Sequence, residues 1–182
     1  MTHLIPAPPG PAAPASLTIV PYSDPQARRL TRALHLEQLA TYGFADDPDD
    51  TPEEQFHAPQ GLFLVAHRNG IAVGCGGVRL LDASTAEIKR MYVAASARGQ
   101  GLGRHILEQL EHQAASSGAS RILLETGYRN RAALALYQRC GYVPAPSYVP
   151  GRNPDVNRAM LKVLASGASG LSDDGPLGPA AR

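Results

Sequence analysis

The chain has 182 residues, 43% of them hydrophobic, with 17 Lys+Arg against 16 Asp+Glu. That is one domain's worth of sequence with enough apolar side chains for a real core, and a net charge near zero supplies no field to recruit nucleic acid or an anionic membrane. No apolar run reaches the ~18 residues of a membrane span.

The opening Met1-Thr-His-Leu-Ile5 lacks the charged-then-apolar pattern of a signal peptide, so a cytoplasmic location is expected. Residues 1–16 are rich in Pro and Ala, and 165–182 in Gly, Ser, Ala and Pro. Neither stretch has apolar periodicity, so both read as disordered tails around one domain at 17–164. Leu17 to Val20 starts a strand. Asp24 is a plausible N-cap and Pro25 takes the first position of a helix running to about Tyr42. Leu62–His67 and Ile71–Arg79 flank Asn69-Gly70, a pair suited to a type I′ turn, and form the clearest hairpin in the sequence. A strand at Glu87–Val93 should pair with that hairpin. Helix 102–117 carries Leu102, Ile106, Leu110 and Ala114 on one stripe and stops at Gly118. A strand at 121–125, a helix at 130–140 and strands near 142–146 and 156–163 complete a mixed α/β chain without internal repeats.

Between the strand at Glu87 and the helix at Leu102 the chain reads Arg98-Gly-Gln-Gly-Leu-Gly103. Glycines let backbone pass close to a ligand, and the unpaired amides of a helix N-terminus suit an anion, so this junction is built to hold phosphate. Arg98 can add a charge-assisted contact. A Walker loop would end in Gly-Lys-Ser/Thr, but Gly101 is followed by Leu102, Gly103 and Arg104. A dinucleotide fingerprint needs Gly-x-Gly-x-x-Gly after an apolar strand. The glycines here are at 99, 101 and 103, after a strand carrying Glu87, Lys89 and Arg90.

Arg98-x-x-Gly101-x-Gly103 resembles the acetyl-CoA pyrophosphate loop, Arg/Gln-x-x-Gly-x-Gly/Ala, of the GNAT acetyltransferase superfamily. The resemblance extends to Ala86-Glu-Ile-Lys-Arg-Met-Tyr-Val93, to the helix 102–117, to Arg121-Ile-Leu-Leu-Glu125, and to Asn130-Arg-Ala-Ala-Leu-Ala-Leu-Tyr137 with Cys140-Gly-Tyr142. Four segments in the family's order carry far more weight than a glycine motif alone. The resemblance implies a GNAT fold, a central mixed, mostly antiparallel sheet whose fourth and fifth strands splay apart, flanked by helices. It also implies an N-acetyltransferase that uses acetyl-CoA as acetyl donor and needs no metal.

Residue by residue, the resemblance assigns cofactor binding to Met91, Tyr92 and Val93, to Arg98, Gly99, Gln100, Gly101, Leu102, Gly103 and Arg104, and to Asn130, which is also a good N-cap. Near Val93 the family's strand bulges and leaves its neighbour, and a backbone N–H there would stabilise the oxyanion. Glu87 matches a general base of several members; the plain alternative is an exposed strand glutamate paired with Lys89 on the same face. Tyr137 matches the proton donor to the departing thiolate; the plain alternative is an aromatic at a core edge.

Residues 46–54, Asp-Asp-Pro-Asp-Asp-Thr-Pro-Glu-Glu, lie in the connection that lines the family's acceptor cleft. They form either an acidic rim for a cationic amine or a solvated loop. Arg90 could pair a substrate carboxylate, and Tyr148, Arg152 and Asn153 belong to a late loop that borders the cleft in the family. Cys75 reads as a small strand residue, Cys140 as core, and neither has a base partner, so direct attack in a ternary complex is expected rather than an acyl-enzyme. The expected acceptor is a small or amino-acid-like amine, with a homodimer allowed but not specified. The rivals are a non-catalytic acyl-CoA sensor, a peptide N-acetyltransferase, and a nucleotide- or S-adenosylmethionine-binding domain with Glu125 as its ribose-binding acid.

Overall fold

The computed structural model describes residues 14–164. Almost all of both expected tails therefore lies outside the described residues. Strand β1 (Ser16–Val20) begins one residue inside the expected N-terminal tail. It is followed by α1 (Pro25–Tyr42), β2 (Gly61–Arg68), β3 (Ile71–Leu80), β4 (Thr85–Val93), α2 (Leu102–Ser116), β5 (Arg121–Gly127), α3 (Arg131–Arg139), β6 (Val143–Ala145) and β7 (Asn157–Val163). Among the described residues no helix is long and apolar enough to cross a membrane.

The local chemistry explains most of these boundaries. Asp24 Oδ1 accepts from the Gln26 and Ala27 amides and starts α1 before Pro25. Asn69 and Gly70 have φ of 50° and 75°, the paired positive values of a type I′ turn, and join β2 to β3. Asn130 Oδ1 accepts from the Ala133 amide and caps α3. Cys140, expected in the core, stands at the C-cap of α3 and is half-buried.

The seven strands form one sheet in the order β1-β2-β3-β4-β5-β7-β6, antiparallel except for β4 and β5. The β4–β5 register runs from Thr85 opposite Arg121 to Ile88 opposite Leu124 and ends there, although both strands continue. Past Ile88 the two strands part. On the other side of β4, Gly77 faces Lys89 while Cys75 faces Tyr92, so one extra β4 residue is accommodated at Arg90, whose φ is +56°. This bulge lies three residues before Val93, where it was expected. One added residue reverses the alternation of side chains. Ile88 faces the α2 side before the bulge, and Met91 and Val93 pack against that same core after it.

Two cores cover the two faces. Leu102, Ile106, Leu110 and Ala114 of α2 are at most 3% exposed and pack with Ile88, Ile122 and Leu124. Burial of each Leu or Ile is worth about 1.5–3 kcal/mol, and this stripe holds a helix that would be marginal in isolation. On the opposite face Tyr22, Phe56 and Phe63 form an aromatic group with centroids 5.0–5.2 Å apart, beside Ala27 and Leu30 of α1.

Gly74 and Gly76 of β3 let α2 approach closely: a Cβ at either would stand 2.9 Å from Ile106 or Leu110. A Cβ at Gly77 would stand 2.4 Å from the Phe56 ring and 2.7 Å from Phe63. Gly77→Ala is therefore expected to destabilise the fold by about 1–3 kcal/mol through overpacking. Urea titration of the variant checks this, and an unchanged midpoint would mean the aromatic group shifts freely.

Candidate active site

Two cavities open at the parting of β4 from β5. The larger, about 760 Å³, lies between α1, the second half of β4, the N-terminus of α2 and α3. The smaller, about 170 Å³, lies on the far side of β4 between the α1–β2 connection and the loop that follows β6. They share Leu34, Gln38 and Tyr42 of α1.

The N-terminus of α2 opens into the larger cavity. Gly101, with φ of +78°, is its N-cap, no side chain caps it, and its first-turn bond runs from the His105 amide to the Gly101 carbonyl. The amides of Leu102, Gly103 and Arg104 precede that bond and have no partner within the helix. The other two α-helices are capped by side chains. An uncapped helix end with no acidic residue in its first turn is an anion site by its backbone and its dipole.

Beside it, β4 presents a backbone edge. The Ala94 amide donates to the Val73 carbonyl at 2.8 Å, and in the same register Val93 faces Gly74. Antiparallel pairs alternate, so Val93 belongs to a non-hydrogen-bonded pair and its N–H and C=O point away from β3, toward the side β5 has left. The Val93 carbonyl accepts from Arg98 Nε at 2.8 Å, consistent with that direction.

Arg98 is more committed than its sequence position suggests. Its Nη2 contacts both oxygens of Glu37 at 2.7 Å, and its guanidinium lies 5.6 Å from the Tyr92 ring centroid. The Tyr92 hydroxyl also donates to Glu37, at 3.1 Å. Arg98 thus ties the loop to α1 and neutralises a carboxylate on the cavity wall. Met91, Tyr92, Val93, Arg98, Gly99, Gly101 to Arg104, Asn130 and Tyr137 all line this cavity. Gln100 does not; its side chain turns to Arg68 and to the Ser96 carbonyl.

Tyr137 is 6% exposed, and its hydroxyl lies 3.8 Å from Met91 Sδ. Burial pushes the phenol well above its ordinary pKa, so it stays protonated. Cys140 lines the same cavity with its thiol raised by burial, and Cys75 is fully buried with its thiol pushed up to about 12.

Glu87 sits at the smaller cavity, 3% exposed. Its Oε2 accepts from Arg79 Nε at 2.7 Å and lies 2.6 Å from Arg79 Nη2, and its Oε1 accepts from the Tyr148 hydroxyl at 2.9 Å. Lys89, the expected partner, is 3.9 Å away, so Arg79 on β3 is the main ion pair. The acidic run 46–54 is largely neutralised rather than a free rim. Asp47 and Asp49 pair with Arg28 and Arg32 of α1, and Glu53 accepts from Ser23. Asp46 alone of the run lines the cavity, and Arg152 holds its carboxyl below the usual range. Arg90 donates to the Asp46 and Asp47 carbonyls and to Thr51 Oγ1, so it braces this connection. Tyr148 and Arg152 of the late loop reach the site; Asn153 Oδ1 accepts from the Asp155 amide within the loop.

Sequence reasoning missed Glu37, Gln38 and Tyr42, which face the cavities from α1, and the role of Arg79. Glu125 was noted only as a ribose-binding acid. It lines the smaller cavity, its Oε1 3.2 Å from Arg152 Nε. Only the packing of α1 on the sheet and the strand register reveal these neighbours.

A cavity with an uncapped helix end and a small charged cavity meet where two strands separate, an arrangement that can bring two substrates together. The family model described as "Acetyltransferase (GNAT) family" matches residues 29–142. An IAA acetyltransferase of Azospirillum brasilense is 40% identical over 107 residues, 58% of this chain and 70% of that protein. A crystal structure of a putative acyl-CoA N-acyltransferase from Klebsiella pneumoniae superposes with a TM-score of 0.71 at 30% identity, covering 83% of this chain and 98% of that one. The fold is shared, at 18% identity and a TM-score of 0.59, by a GNAT acetyltransferase from Elizabethkingia anophelis with acetyl-CoA bound; the match covers 82% of this chain and 98% of that one. The chain belongs to the GNAT acetyltransferase family and is an acyltransferase of that type. The nucleotide-binding and non-catalytic alternatives are set aside accordingly.

Proposed function

We propose that the protein transfers the acetyl group of acetyl-CoA to the amine of a small or amino-acid-like acceptor by direct attack while both substrates are bound. The observation that carries this reading is the meeting of the two cavities at the β4–β5 parting, one with uncapped amides and the other lined by charged side chains. The donor's pyrophosphate lies on the backbone of Gly99 to Arg104, and its pantetheine arm runs along the free β4 edge from Met91 to Val93, with Asn130 at the opposite wall.

The amine nitrogen bonds to the acetyl carbonyl carbon, the carbon–sulfur bond breaks, and the thiolate takes a proton. The Val93 N–H faces the developing oxyanion as a preorganised donor. Tyr137, a phenol that burial keeps protonated, supplies the thiolate's proton. Glu87 receives the amine's proton, through a water because both its oxygens are committed to Arg79 and Tyr148. The raised thiols of Cys75 and Cys140 favour direct attack over an acyl-enzyme, since the thiolate is the nucleophile.

An acceptor screen that follows release of free coenzyme A tests the reaction. With any acceptor found, Glu87→Gln is expected to lower kcat by about 10²-fold, most strongly below the acceptor amine's pKa, with acetyl-CoA affinity nearly intact. An unchanged pH–rate profile with an acceptor of high pKa would remove Glu87 from the mechanism.

A further inference from the structure

The acceptor-side cavity is lined by three carboxylates, Asp46, Glu87 and Glu125, and by four cations, Arg79, Lys89, Arg90 and Arg152. Most of this charge is spent within the protein. Asp46 faces Arg152 with both oxygens, and Glu87 is held by Arg79 and Tyr148. Arg79 also reaches Gln55, and Arg90 is anchored on two carbonyls and Thr51. Arg90 and Arg152 each keep a buried unpartnered Nε, but their terminal nitrogens are engaged.

One carboxylate oxygen and one ammonium remain. Glu125 Oε2 is buried without a hydrogen-bond partner, while its Oε1 lies 3.2 Å from Arg152 Nε. Lys89 Nζ makes no hydrogen bond among the described residues, and its nearest carboxylate is 3.9 Å away. The buried Glu125 oxygen calls for a partner, and Lys89, its side chain 28% exposed, is the one cation of this cavity with no hydrogen bond among the described residues.

Their placement is set by the sheet. Ile88 and Leu124 form the last parallel pair and face the α2 core. Lys89 and Glu125 are the next residue on each strand, so both point to the opposite face, one on each side of the opening. No ion pair closes the gap between them. The cavity's volume of about 170 Å³ corresponds to about six water molecules at their share of liquid volume, which suits a free amino acid with a small side chain.

Resting on the acetyltransferase reading, we propose that the acceptor is a small free amino acid, clamped by its carboxylate on Lys89 and by its amine on Glu125. Burial pushes the Glu125 carboxyl up and the Lys89 ammonium down, so each gains from an arriving opposite charge. The groups facing Glu125 are Arg152 and Lys89, which favour its charge, and Glu87 and Asp46, which oppose it.

The test is coenzyme A release with glycine, alanine, serine and β-alanine, each beside its amide and its decarboxylated amine, together with glycylglycine. The free acids are expected to exceed their matched amides in kcat/KM by ~30-fold or more, the scale of one charge-assisted contact. Lys89→Met should bring that ratio within about threefold by raising KM for the acid, and Lys89→Arg should restore most of it. Glu125→Gln should raise KM for the acids more than it lowers kcat.

The clamp is overturned if amides, amines or glycylglycine are used as well as the free acids, or if no acid is used. A fall in kcat at constant KM in Glu125→Gln also overturns it, making Glu125 a proton acceptor instead of an anchor. Calorimetry with acetyl-CoA on the same preparations keeps the two readings apart. Cofactor binding without use of any acid sinks the clamp alone, and no cofactor binding sinks both.

Discussion

Glutamate in place of Gly101 is expected to reduce acetyl-CoA affinity by at least ~10²-fold, because it sets a carboxylate beside the uncapped amides of α2, where the proposed function seats pyrophosphate. The variant should still fold. A Cβ at Gly101 meets nothing within 4 Å, and a left-handed φ of +78° costs a non-glycine residue about 1–2 kcal/mol. Gly101→Ala carries the same backbone strain without the charge, so it should retain measurable binding. Calorimetric titration of the two variants separates strain from repulsion. Gly103→Glu should behave like Gly101→Glu, with an added packing cost because a Cβ there stands 3.3 Å from Leu136. Undiminished affinity in a folded Gly101→Glu protein would mean that the loop holds no phosphate.

Tyr137→Phe is expected to lower kcat by about 10²-fold or more while leaving KM for acetyl-CoA little changed. The ring stays, including its tilted contact with Tyr142 at 5.7 Å, and only the hydroxyl beside Met91 Sδ is lost. The stability change should therefore be small, on the order of 1 kcal/mol or less. The phenol's raised pKa keeps it a donor across the working pH range, so the defect should persist at all pH values where the enzyme is folded. Full kcat in the Phe variant, with an acceptor for which chemistry limits the rate, would reassign Tyr137 to packing and leave water as the acid.

The α2 helix shows how far periodicity reaches. Its stripe of Leu102, Ile106, Leu110 and Ala114 was readable because a 3.6-residue repeat of apolar side chains has few other uses, and all four are buried. The Asn69-Gly70 turn and the Asp24 and Asn130 caps were readable for a similar reason: each is a local contest between backbone conformations that a few neighbouring residues decide. The glycine turn belongs with them, since a left-handed Gly101 opening α2 without a side-chain cap is a property of one turn of backbone.

The charged residues behaved otherwise. Lys89, two positions from Glu87, was the natural partner by sequence, yet Arg79 on the adjacent strand takes that carboxylate. The acidic run 46–54 read as either an acidic rim or a solvated loop, but Arg28 and Arg32 of α1 lie against it. Arg98 looked like a phosphate ligand and is held by Glu37, 61 residues earlier. Sequence alone determined the elements, their caps and the family, because these rest on residues within about one turn of each other or on a motif in a set order. Tertiary structure decided which charges are spent and which stay free. An ion pair depends on distances of a few ångströms between chain segments far apart in sequence, and strand register together with the one-residue bulge at Arg90 sets those distances.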